Sequence, residues 1–189
     1  MPSRERLPPL PADRMTADQK KAADAFMSAR GYPMLGPFLV MLRSPEVMLR
    51  AQAMGDYLRY RNVLPRRVSE LVILVTARAW TQKFEWSHHY KYAIEAGLAK
   101  QIADAIAEGR RPQDMAADET AAYDFSIELH HNKSVSDATY ARAVELFGEQ
   151  GIVDLTGING YYSMLAMMMN VARTPNDNAD VKPLEAFPN

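Results

Sequence analysis

The stretch RRVSELVILVTARAWTQKFEWSHHYKYAIEAG, Arg66–Gly97, decides how this chain folds. It reads as two helices joined by a short polar turn. The first spans about Pro65–Trp80, with Pro65 at the first helical position, where the N–H that proline lacks would have no partner anyway. Leu71, Val72, Ile73, Leu74 and Val75 make this helix apolar nearly all round, the mark of a buried helix. A single acid, Glu70, is set against that run. The second helix spans about Phe84–Ala96, and Gly97 ends it as the residue that turns left-handed. Glu85 and His89 lie four apart and share a face. Trp86, Tyr90, Ala93 and Ala96 extend that face as an apolar stripe. His88 is turned about 100° from His89 and shares a row with Lys91 and Glu95, which assigns it to water or to a subunit contact.

Outward from this pair the chain continues as helices. Residues 1–15 are proline-rich and charged, and read as an extended arm. Thr16 and Gln19 have capping-box spacing, so a helix follows to about Arg30, stopped by Gly31. Gly31–Pro37 is a turn-rich connector, with a short helix near Phe38–Leu42. Ser44-Pro45-Glu46 is a strong start signal for a helix to about Arg61. Beyond Gly97, helices are expected over Ala99–Glu108, from Asp118 to His130 or His131, from Ser136 to Phe147, and from about Ile152 to Ala172. Gly157 and Gly160 interrupt the last of these, each at about 1 kcal/mol relative to alanine, and close helix packing is the expected reason. Residues 173–189 read as a second arm. No alternating strand pattern is present. The expectation is an all-α single domain of about eight helices, residues 16–172, with an arm at each end.

Composition narrows the function. A chain of 189 residues can bury a full core without staples. Net charge is −1, so there is no electrostatic footprint for nucleic acid or a membrane surface. There is no cysteine, which removes disulfides, thiolate nucleophiles and thiolate metal sites together. No stretch has the length and apolarity of a signal peptide or a membrane span, and a cytoplasmic protein is expected. The bunched Met164, Met167, Met168 and Met169 suit an adaptable core or a subunit interface.

Several residues carry chemistry in this pattern, each beside a plainer reading. Glu70 either complements the helix dipole or is a buried carboxyl that needs a partner. His89 is either a hydrogen-bonded core histidine or half of an acid–base pair with Glu85, whose carboxylate would fix its tautomer and raise its pKa. Trp86 is core or a substrate platform. Arg67, Arg78 and Lys83 are solvated helix surface or anion contacts. Glu85-Trp-Ser-His88 and Glu128-Leu-His-His131 are both Glu-x-x-His; two such motifs with two further glutamates build di-iron sites in helical bundles, although His131 at a helix end also simply suits the dipole.

The register of Glu70, then Gln82 and Glu85 in a two-position slot, then His89, with R-x-x-E-L-x-I-L, E-W-x-x-H and A-G-L around it, resembles the carboxymuconolactone decarboxylase family, which includes the alkylhydroperoxidase D-like proteins. In the peroxidase branch the slot holds two cysteines; here it holds Gln82 and Glu85, so thiol-dependent peroxide reduction is not expected. The resemblance implies an all-α homo-oligomer, a trimer or hexamer, with its site between helices. It implies decarboxylation of a small carboxylated lactone or a related intermediate of aromatic degradation, with no thiol, metal or organic cofactor. Residue by residue, it implies His89 as proton carrier, Glu85 as its partner and Glu70 as a second acid–base group. Trp86, Arg78 and Lys83 are the expected substrate contacts. On this reading the imidazole of His89 is protonated near neutrality and His88 is dispensable. A non-catalytic oligomeric binding protein that retains the fold is the alternative from another class.

Overall fold

The computed structural model describes residues 5–176, 181 and 184–186. Among them are eight α-helices and no strand: α1 Ala17–Arg30, α2 Pro37–Met41, α3 Pro45–Tyr60, α4 Arg66–Ala79, α5 Lys83–Glu95, α6 Lys100–Ala107, α7 Ala117–Asn132 and α8 Asp137–Ala172. The all-α expectation holds.

Helix α4 is the centre. Every residue from Val68 to Arg78 is buried, and α4 packs against α5, α6, α7 and α8. Pro65 stands one position earlier than expected, outside the helix as its N-cap with extended ψ, while its carbonyl accepts the first helical bond from the Ser69 N–H at 3.0 Å. The chain then reverses through Thr81, at φ 46°, into α5. Gln82 caps α5 by accepting from the Phe84 and Glu85 N–H groups. Its amide nitrogen donates to Asn170 of α8 at 2.9 Å, and Asn170 donates to the Trp80 carbonyl. The slot position at Gln82 is therefore a structural tie between the α4–α5 turn and α8.

The flanking helices begin and end on the signals their sequence carries. Thr16 and Gln19 form a reciprocal capping box, and Gly31 closes α1 at φ 70°. The two segments expected over 136–147 and 152–172 join into α8, broken only at Gly148, whose φ of 67° lies outside the helical region. The helix resumes directly because glycine takes that φ without a Cβ penalty. Gly157 does pack closely, since a Cβ there would stand 3.0 Å from Leu58. Gly160 does not: among the described residues, nothing outside its own helix backbone lies within 4 Å of a Cβ built on it.

Both ends are tied to the bundle where they are described. The Arg6 N–H donates to the Ala172 carbonyl at 2.7 Å, Arg43 donates to the Pro8 carbonyl, and Leu184 is buried in the core. No described helix is long and apolar enough to cross a membrane.

Candidate active site

A cavity of about 60 Å³ opens where α1, the α1–α2 connector, α3, α5 and α8 converge. Helix α5 contributes Phe84, Glu85, His88 and His89; α8 contributes Tyr161, Tyr162, Leu165 and Met169; α3 contributes Gly55 and Arg59; α1 contributes Phe26 and Arg30. Leu35 of the connector lines it and is 47% exposed, so the mouth lies there. An apolar cavity of about 150 Å³ takes a benzene ring. A space this small takes the reacting end of a small molecule, with the remainder in the mouth.

His89 and Glu70 are joined. The Nδ1 of His89 is 2.7 Å from the Glu70 Oε2, and both side chains are almost wholly buried. An ionised carboxylate only accepts, so Nδ1 carries the proton and Nε2 is the free nitrogen. The partner of His89 is thus Glu70 across the helix pair, in place of the expected Glu85. Residues four apart share a helix face, but the His89 Nδ1 is turned to Glu70 of α4 and neither Glu85 oxygen bonds to it. Burial pulls the His89 pKa down, and the charge and hydrogen bond of Glu70 do not reverse it. The expected imidazolium is replaced by a neutral imidazole.

Glu85 is the outlier. It lies in the first turn of α5, where the helix dipole favours a carboxylate, yet it is 3% exposed and neither carboxyl oxygen has a hydrogen-bond partner among the described residues. Burial pushes its pKa well above the usual carboxylate range, so it is a neutral acid in a cavity. Two features share this space: a paired Glu70–His89 and a lone protonated Glu85.

His88, expected to face water or a subunit contact, is half-buried and lines the cavity. It stacks on Phe84 with ring centroids 5.9 Å apart and an interplanar angle of 8°. Burial, helped by His89, Arg59 and Lys91, lowers its pKa to about 3, so it too is neutral. Phe84 one turn earlier and Tyr92 one turn later draw the ring inward. Tyr161 and Tyr162 keep their hydroxyl protons, burial having raised both pKa values.

The expected substrate contacts do not reach this cavity. Trp86 is 1% exposed and belongs to the core. Lys83 is on the surface. Arg78 borders a separate cavity of about 240 Å³ beside His130 and His131 and donates to the Glu185 carbonyl at 2.6 Å. Arg67 is engaged by Asp118 and Glu119 of α7. The two Glu-x-x-His motifs are not brought together: Glu128 accepts from Ser136 and Thr139 at the α7–α8 junction. Among the described residues no three His, Asp or Glu side chains are grouped to hold a metal.

Sequence reasoning missed Arg30, Arg59, Tyr161 and Tyr162. They stand 30 to 73 residues from His89 along the chain, and no local periodicity marks them; the adjacent Tyr161 and Tyr162 in the uncharged second half of α8 were the available signal.

Residues 45–125, which hold α3 to α6 and the first half of α7, match the carboxymuconolactone decarboxylase family. Over most of its length the chain is similar in fold to solved structures. One is a cysteine-to-alanine variant of the debrominase Bmp8 in complex with 2,3,4-tribromopyrrole, at TM-score 0.70 and 12% identity over 90% of this chain and 91% of that one. Another is an alkylhydroperoxidase AhpD core protein, peroxidase-related, from Ralstonia eutropha, at TM-score 0.72 and 16% identity over 92% and 93%. A third is a protein of unknown function from Agrobacterium tumefaciens, at TM-score 0.61 and 17% identity over 73% and 95%. At these identities the likeness is one of fold. No curated protein sequence matches.

Proposed function

We propose, taking as premise that residues 45–125 are a carboxymuconolactone decarboxylase-family segment, that this protein is a homo-oligomeric enzyme releasing CO2 from a small carboxylated lactone or a related aromatic-degradation intermediate. It works by general acid/base chemistry carried by its own side chains. The observation that carries the reading is Glu85, a buried and unpartnered carboxyl facing a cavity that it shares with the Glu70–His89 pair.

The chemistry asks for little else. When the carboxylate leaves as CO2, its bonding electrons pass into the lactone carbonyl and make an enolate. A carbon of that enolate then takes a proton. A carboxyl held neutral near pH 7 is a suitable donor, because general acids work best when their pKa lies near the working pH. Glu85 supplies the proton, and the Tyr161 and Tyr162 hydroxyls are donors for the developing enolate oxygen. Glu70 fixes His89 so that Nε2 accepts from the substrate or its ordered water. The proton carrier on this reading is Glu85, with His89 as the orienting base.

The test is CO2 release from a panel of carboxylated lactones by the wild type, Glu85→Gln and His89→Gln. Glu85→Gln preserves shape and removes the acid. Its turnover should fall on the order of 10²–10⁴-fold with the helical circular dichroism spectrum retained. Wild-type turnover in Glu85→Gln, or no CO2 from any member of the panel, sinks the reading.

A further inference from the structure

Arg59 stands apart from the other cationic side chains near the cavity. It projects from the last turn of α3 and lines the cavity with Glu85, His88 and His89. Its guanidinium lies 4.7 Å from the Tyr92 ring centroid and 5.2 Å from that of Tyr60, so aromatic faces hold its plane. It has no hydrogen bond or ion pair to any acceptor among the described residues. Arg30, the other guanidinium of the cavity, is engaged by Asp56 at 2.7 Å and donates to the Tyr32 hydroxyl at 3.2 Å. The acid whose charge acts on Arg59 is Glu70, and that carboxylate is taken by His89.

A half-buried arginine without an anion is costly to hold, and five N–H donors in a fixed fork match a carboxylate in two parallel bonds. The rest of the lining is apolar or neutral: Leu35, Phe84, Leu165 and Met169 on the walls, with Glu85 and both histidines uncharged. Glu85 is the one carboxyl among the lining residues, and Glu70 lies behind His89, bonded to it.

We infer that Arg59 is the specificity-determining anchor of this cavity, binding the carboxylate of a small, flat, ring-bearing acid whose ring lies against Leu35 and Phe84 toward the mouth. The inference rests on the functional reading above for the identity of the site. It goes further in assigning the ligand class and the residue that selects it. The anchored carboxylate is the one retained. A carboxylate clamped by two charge-assisted bonds is stabilised against losing its charge, so the departing group is a second one, on the ring and toward Glu85.

Binding can be read without turnover. Isothermal titration would compare benzoate, an unreactive ring carboxylate, with benzamide, its neutral analogue of like shape. Wild type should bind benzoate at least about 10-fold more tightly than benzamide, the least that a charge-assisted bond supplies. Arg59→Gln should remove that preference, while Lys83→Gln on the surface should keep it. Equal affinity for the two probes in the wild type, no heat from benzoate at tens of millimolar, or an unchanged preference in Arg59→Gln overturns the inference. Circular dichroism confirms that each variant is folded. An Arg59-dependent preference in a protein that releases no CO2 would leave the anchor standing and the decarboxylase reading fallen. Turnover that is independent of Arg59 would do the reverse.

Discussion

At the cavity, burial holds Glu85 and His88 uncharged, and that has a pH signature. Glu85 is raised from its ordinary 4.5 by burial. Its folded form holds a proton that the unfolded chain gives up, so its contribution is fully present below about pH 4.5 and is lost as pH climbs through the folded pKa. His88 is lowered by burial from 6.5 to about 3. Its contribution is present above pH 6.5 and is lost as pH falls toward 3. The two act from opposite sides. Melting curves should therefore show Glu85→Gln gaining on the wild type as pH rises from about 5 to 9, by several degrees at the upper end. A tenfold change in protonation preference is about 1.4 kcal/mol, and 1 kcal/mol is roughly 2–4 °C in a domain of this size. His88→Gln should gain on the wild type as pH falls from 6.5 to 4. A pH-independent difference in either variant would mean that the residue is not held neutral.

Helix α3 meets α8 at Gly55, and the contact leaves no room. A Cβ on Gly55 would stand 2.3 Å from the Tyr161 hydroxyl, and both residues line the cavity. Gly55→Ala should cost about 1–3 kcal/mol as an overpacked contact and displace Tyr161, lowering activity together with stability in a denaturant titration and a parallel assay. An unchanged midpoint would show that the two helices separate freely. How much of such an element can be read in advance depends on the range of its cause. The buried run of α4, the capping box of α1, the Ser44-Pro45 start of α3 and the Gln82–Glu85–His89 register are local patterns, and they were legible. The pairing of His89 with Glu70 rather than Glu85 depends on how two helices face each other. The inward turn of His88 depends on the aromatic rings beside it. The role of Arg59 depends on which acids its neighbours have already engaged. On its own helix Arg59 reads as an ordinary surface residue.

At the scale of the whole molecule, α8 carries exposed apolar side chains among the described residues. Along α8, Val153, Gly160, Met164, Met167 and Val171 recur at spacings of seven, four, three and four, which is the spacing of a helix–helix seam. Val153 and Val171 are among the most exposed apolar side chains, Met167 is exposed, and no residue from 155 to 172 is charged. Contiguous exposed apolar surface of this kind marks contact sites. Gly160, with nothing outside its own helix backbone within 4 Å of a Cβ built on it among the described residues, would let another helix approach closely. Sedimentation equilibrium at micromolar concentration is expected to give a multiple of the 21.3 kDa chain mass. Val171→Glu, a charge on the seam, should move the mass toward that of one chain with the helical spectrum unchanged. A wild-type monomer at that concentration would refute the assembly.

The isolation of Glu85 has a consequence for the rhythm of turnover. In the proposed reaction each cycle spends its proton, and no described side chain lies within hydrogen-bond reach of either carboxyl oxygen to return one. There is no wire by which the acid recharges while the product is still in place. It recharges from water, and water reaches it through the mouth that the product has just vacated. Product departure and the resetting of the catalyst thus become a single step, and an enzyme built this way stays discharged for as long as its product lingers.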